Sequence, residues 1–150
     1  MRVILQRVSK ASVSIDEKVK SQIANGLLIL LGIENEDAEE DISWLCKKIV
    51  NLRIFNDEED KMNLSLADVD GEAIIVSQFT LHASTKKGNR PSYIKAARPE
   101  TAIPLYEAFI KEFEQQLGKK VGSGSFGAMM DVELINDGPV TIGIDSKNRE

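Results

Sequence analysis

The hydrophobic pattern switches between two periods, and the switches mark the elements. Val3, Leu5 and Arg7-Val8 begin a strand, and Ala11 to Ile15 alternates with period two as another. Asp16-Glu17-Lys18 reads as a turn, Val19 to Ala24 as the return, and Asn25-Gly26 as a hairpin turn. Leu27 to Ile33 is a short continuous apolar run, which predicts a strand covered on both faces. These segments predict a β-meander of about four strands. The period then turns helical. Asp37 and Glu40 have capping-box spacing, and Ile42, Leu45, Cys46, Ile49 and Leu52 give one apolar stripe. Arg53-Ile54-Phe55 predicts a short strand, with Met62 to Leu66 pairing back. Ala73 to Leu81 is rich in β-branched residues and predicts a central strand. A second helix is predicted over Pro99 to Leu117, with Ala102, Leu105, Tyr106, Phe109 and Phe113 on its apolar face. Pro104 inside it predicts a restart or a kink. Met129 to Asn136 and Val140 to Ile144 read as strands joined by a turn at Asp137-Gly138-Pro139, and Asp145 to Glu150 as a frayed tail. Roughly eight strands and two helices predict an α+β fold, not the βαβ alternation of a doubly wound sheet.

The 150 residues make one domain, 1–150, with one cysteine and one histidine. Those two counts exclude a disulfide framework, a thiolate cluster and a multi-histidine metal site within one chain. The longest apolar run is Leu27 to Leu31, far short of a membrane span, and the polar start does not suit a signal peptide. The expectation is a soluble cytoplasmic protein. Net charge is −5, which argues against a nucleic-acid partner until its distribution is considered. Six acids fall in 34–41 and four in 57–60; setting these aside leaves fourteen acids against nineteen bases. Lys86 to Arg98 carries five cations, among them Lys87 and Arg90, and no acid. Such a patch can bind phosphates inside an acidic protein, because distant charges are screened. A solvated loop is the ordinary alternative.

Several chemical signals are decoys. Gly122 to Gly127 fits G-x-G-x-x-G, but it follows a helix and opens a strand, the wrong context for a dinucleotide. Cys46 lies on the apolar stripe and reads as a small buried hydrophobe. His82 is the only imidazole, so a Ser-His-Asp triad would need it, and its setting suits an exposed or neutral histidine better. Two polar segments in apolar strands remain. Ser77, Gln78 and Thr80 close the Ala73–Leu81 run, either as satisfied groups at a sheet end or as a nest for a developing oxyanion. Asn136-Asp137-Gly138-Pro139-Val140-Thr141 is either an ordinary turn or a rigid one that presents backbone to a ligand.

Read together, Ser77-Gln78-Phe79-Thr80-Leu81 and Asn136-Asp137-Gly138-Pro139-Val140-Thr141 resemble the D-aminoacyl-tRNA deacylase family. Gln6-Arg7-Val8, Ala11-Ser12-Val13, Arg53-Ile54-Phe55, Lys61-Met62-Asn63 and Arg90-Pro91-Ser92 carry the likeness along the chain. The resemblance implies a compact, β-rich, barrel-like domain of mostly antiparallel strands with two main helices packed on it. It implies hydrolysis of the ester joining a D-amino acid to tRNA, with removal of mischarged glycine as well. It also implies a homodimer in which a cis Gly138-Pro139 reaches the partner's active site and selects chirality. Ser77, Gln78, Phe79 and Thr80 would line the pocket, and Phe126, Gly127, Ala128 and Met129 would seat the terminal adenosine. Lys86, Lys87 and Arg90 would hold phosphates of the aminoacyl-tRNA. No metal, organic cofactor or membrane partner is expected. Thr80 is open between nucleophile and pocket wall; no base nearby in sequence can deprotonate it, which favours the wall. The competing reading is a tRNA- or nucleotide-binding module without hydrolysis.

Overall fold

A computed structural model describes residues 1–150. It has eight strands, two α-helices and one 3-10 turn: β1 (Arg2–Ile15), β2 (Lys18–Ile23), β3 (Gly26–Gly32), α1 (Glu39–Asn51), β4 (Phe55–Asn56), β5 (Met62–Leu64), β6 (Glu72–Ser77), the 3-10 turn (Phe79–His82), α2 (Pro99–Leu117), β7 (Gly122–Ser123) and β8 (Asp131–Asp145). The architecture is α+β, a nearly closed barrel-like sheet with two helices on it.

The long strand β1 organises the sheet. On one edge its residues 2–8 pair with β3 and 11–15 with β2; on the other edge it pairs with β8 almost throughout. The expected four-strand meander is therefore one long hairpin. Its turn is Asp16-Glu17, both at positive φ, the geometry that suits a two-residue hairpin. Asn25-Gly26 is not a hairpin turn. There the returning strand leaves Ile23↔Ala11 and resumes at Gly26↔Val8 along the same edge of β1. Gly26 is needed for close approach, because a Cβ there would lie 1.9 Å from the Glu72 carbonyl oxygen. Beyond β3, β6 and β7 add in parallel. Ser21 joins β2 to β7: its hydroxyl donates to the Ser123 carbonyl at 2.8 Å and accepts from the Ser123 N–H at 3.1 Å, which nearly closes the barrel.

Two cores lie on opposite faces of β3 and β6, as the continuous apolar runs predict. Leu27, Ile29, Leu31, Ala73 and Ile75 face the helices, meeting Leu45, Cys46, Ile49, Phe109 and Phe113. Leu28, Ile74 and Val76 face the barrel interior with Val8, Val13 and Ile23. Cys46 is fully buried, and burial pushes its thiol up, far from a nucleophile's range.

Other boundaries differ from expectation. The α1 N-cap is Ala38, whose N–H donates to Asp41 Oδ2 at 2.9 Å; Asp37 turns inward to accept from the Glu34 N–H and the Met1 amino group. The strand predicted to Leu81 ends at Ser77, where the chain tightens into the 3-10 turn. Helix α2 runs unbroken through Pro104. The residues expected to fray are tied down: Ser146 Oγ donates to Asp41 Oδ1 at 2.7 Å, Lys147 Nζ to Asp41 Oδ2 at 2.8 Å, and Arg149 lies 4.4 Å over the Trp44 ring. No helix is long and apolar enough to cross a membrane.

The expected turn at 137–139 is the largest difference. Both flanks pair with β1, Asn136 with Val8 and Thr141 with Gln6, so residues 137–140 bulge out of one continuous edge strand opposite Arg7.

Candidate active site

A cavity of about 360 Å³ opens where β3 and β6 end. Ser77, Gln78 and Phe79 form one wall, and Phe126, Gly127, Ala128 and Met129 form another. Leu31, Val76, Ala102 and Val132 supply apolar floor and sides. The sheet thus brings together two candidate segments almost fifty residues apart in sequence. β6 delivers Ser77 because its buried register ends there, at Leu31↔Ser77. The second wall is positioned by Tyr106, whose hydroxyl donates to the Ile75 carbonyl at 2.7 Å and whose ring lies 6.0 Å from that of Phe126. Burial pushes the Tyr106 phenol up to about 12, so it stays neutral and keeps donating.

The 3-10 turn gives the pocket rim its polarity. The Gln78 N–H donates to the Leu31 carbonyl at 2.8 Å, and the Leu81 and Ala83 N–H groups fold back on Gln78 and Thr80. Phe79 and Thr80 open the 3-10 turn, where the first N–H groups have no partner within the turn itself. Gln78 Nε2 donates to Thr80 Oγ1 at 2.5 Å. Thr80 therefore orients the amide beside the cavity, and it is not itself among the lining residues. His82 is buried rather than exposed, at 2 % exposure, and both ring nitrogens lack partners. No base addresses the Thr80 hydroxyl, whose one hydrogen-bond partner is Gln78. The G-x-G-x-x-G segment supplies β7 and the loop leading to Phe126, so it is scaffold and wall.

Gly138 and Pro139 do not line this cavity; both are exposed on the bulge, joined by a cis peptide bond. Gly138 lies six positions beyond the pocket residue Val132, up to about 20 Å along the strand. The bulge is held by Arg7, a role that sequence reading did not assign. Its Nε donates to the Asp137 carbonyl at 3.1 Å, and Nη1 donates to the Ile54 carbonyl at 2.7 Å and Asn56 Oδ1 at 3.1 Å. An arginine at an inward, 6 % exposed strand position was the available signal. Lys86, Lys87 and Arg90 lie exposed at the tip of a loop closed by reciprocal Ser84–Ser92 backbone bonds, and none of them forms an ion pair within the chain.

Fold and cavity together define a small α+β domain with a ligand pocket at the open end of its sheet and no nucleophile–base pair. The family model for D-Tyr-tRNA(Tyr) deacylase matches residues 4–145, and the chain belongs to that family of hydrolases. It is 70% identical over 149 residues to the D-aminoacyl-tRNA deacylase of Christiangramia forsetii, covering 99% of both chains. It is 63% identical over 150 residues to that of Bacteroides thetaiotaomicron, covering 100% of each. Among solved structures, the c-Myc DNA Unwinding Element Binding Protein superposes with a TM-score of 0.90 at 38% identity, over 97% of this chain and 98% of that one.

Proposed function

We propose that this chain hydrolyses the ester of D-aminoacyl-tRNA, and of glycyl-tRNA charged in error, releasing tRNA and the free amino acid. The observation that carries the reading is the cavity itself. It joins the Ser77–Phe79 and Phe126–Met129 segments at the start of a 3-10 turn, whose first N–H, that of the lining residue Phe79, has no partner within the turn. An aminoacyl ester is already activated, so a strong protein nucleophile is not required. Orientation of water, with the Phe79 N–H facing the oxyanion, supplies the transition-state stabilisation. The neighbouring ribose 2′-hydroxyl assists. Thr80 acts through Gln78 as a positioning residue, not a nucleophile.

Selectivity is assigned to Gly138 and Pro139 of a second copy in a homodimer. Within one chain the bulge stands well away from the pocket, while the free edge of β8 exposes Leu134 and Ile135 for association. Backbone atoms fixed by Arg7 make a steric filter that cannot change rotamer; an L side chain would collide with it, whereas glycine's hydrogen would pass. Lys86, Lys87 and Arg90 hold tRNA phosphates.

The test is single-turnover deacylation of matched D- and L-aminoacyl-tRNA. Rapid release from the D ester alone is expected; equal rates, or none, overturn the reading. The similarity to a protein named for DNA binding favours one alternative, nucleic-acid binding without hydrolysis. Tight tRNA binding with no release of amino acid would establish it.

A further inference from the structure

The ring of Phe79, a residue that lines the cavity, meets the ring of Tyr93 in an aromatic step, and the reaction above gives neither ring a role. Their rings meet edge to face at 5.0 Å, yet they are 54% and 38% exposed. Two exposed rings in contact make a contiguous apolar patch, the kind of surface that marks an interaction site. Tyr93 is held firmly. Ser92 is bridged to Ser84 by two backbone bonds, the Ala96 N–H donates to the Tyr93 carbonyl at 3.0 Å, and the Ala97 N–H donates to the Ile33 carbonyl at 2.9 Å. The step therefore has a defined place against Phe79, a residue of the cavity wall. The same segment, 86–98, carries the five cations and no acid. Exposed rings interleaved with cations are the chemistry that receives single-stranded nucleic acid, with bases stacking on the rings and phosphates meeting the charges.

We infer that Phe79 and Tyr93 form a stacking platform for the base next to the terminal nucleotide of single-stranded RNA. The inference rests on the proposal that the pocket takes the esterified terminal nucleoside, because Phe79 in the pocket wall then puts the step within reach of the preceding base. Duplex RNA is not a ligand of this step, because its bases present no free face.

The probe is 5′-fluorescein-labelled single-stranded RNA ending in ACCA, with a second version abasic at the penultimate position. Both are titrated by anisotropy into wild type, Tyr93→Ala and Tyr93→Phe. Tyr93→Ala is expected to weaken the intact RNA about tenfold, and Tyr93→Phe to bind nearly as wild type does. The abasic RNA should bind wild type and Tyr93→Ala alike. If Tyr93→Ala weakens both RNAs equally, or neither, the platform is overturned. A kinetic arm separates this outcome from the deacylase reading. Tyr93→Ala should raise KM for D-aminoacyl-tRNA and leave kcat/KM for D-aminoacyl-adenosine unchanged, since that ester lacks the preceding base. Should neither ester be hydrolysed while RNA binding follows the expected pattern, the deacylase reading fails and the platform stands.

Discussion

Ser77 to Phe79 enter the cavity from β6, a strand buried on both faces, whereas Gly138 and Pro139 stand on β8, an edge strand with one side free. The first segment is fixed by packing: Ala73 to Val76 are each at most 2 % exposed, and their register leaves no freedom to slide. The second is fixed by one side chain, Arg7, which ties Asp137 to Ile54 and Asn56. The pocket is thus shaped by the chain's own core. The bulge is presented outward, rigid but without a protein surface of its own to meet. A rigid projection is suited to completing a neighbour's pocket, and the difference between the regions predicts which substitutions damage which half.

The largest effect is expected at Gly138. Its φ is +123, and a Cβ would sit 2.8 Å from Val140 Cγ2 and 3.0 Å from Arg7 Nη2. Gly138→Ala should displace the bulge while the core and its thermal midpoint change little. Misplacing a positioning element by about 1 Å costs on the order of 10²-fold in rate. Steady-state deacylation of D-aminoacyl-tRNA checks this, and an unchanged kcat/KM would make the bulge purely structural. Replacing Lys86, Lys87 and Arg90 together by Ala should raise KM about tenfold, weaken its salt dependence and leave kcat nearly alone. Unchanged salt dependence would place the tRNA elsewhere. Thr80→Ala should cost only a few-fold, because it loosens Gln78 without removing a reacting group. A trapped acyl-enzyme on Thr80 would contradict that role.

The smallest effect concerns the tail. Burial works to raise the Asp41 carboxyl, but hydrogen bonds from Lys147, Ser146 and the Ala38 N–H outweigh it and lower the group to about 2. A carboxyl depressed below its unfolded value of about 3.9 adds stability that is present above that pH. The gain should disappear as pH falls through about 2. Thermal midpoints of wild type and Asp41→Asn should differ at pH 7 and converge near pH 2.

Much of this was legible in the chain. The doubly buried strand at Leu27–Leu31 and the helix Pro99–Leu117 follow from apolar period and length, which single residues do not perturb. Ends and pairings were harder. Asn25-Gly26 has hairpin chemistry, but its glycine answers to the Glu72 backbone on the neighbouring strand, a contact that local sequence does not contain. Asp137-Gly138-Pro139 reads locally as a turn, yet both flanks pair with one strand, and only tertiary register reveals a bulge. Only the family resemblance put Ser77–Phe79 and Phe126–Met129 in one site, since their residue patterns do not connect them; the fold brings them to one cavity. Arg7 read only as part of the first strand, and it is the residue that pins the bulge.

Mixing two inactive chains tests the shared-site claim most directly. Gln78→Ala disables the pocket and keeps the bulge; Gly138→Ala keeps the pocket and disables the bulge. Unfolded and refolded together in equal amounts, a symmetric dimer forms half its molecules as heterodimers, each with one intact site. Activity on D-aminoacyl-tRNA should recover to about a quarter of wild type. If the mixture remains as inactive as the separate variants while heterodimers are shown to form, pocket and bulge do not meet across an interface, and the account of selectivity is contradicted.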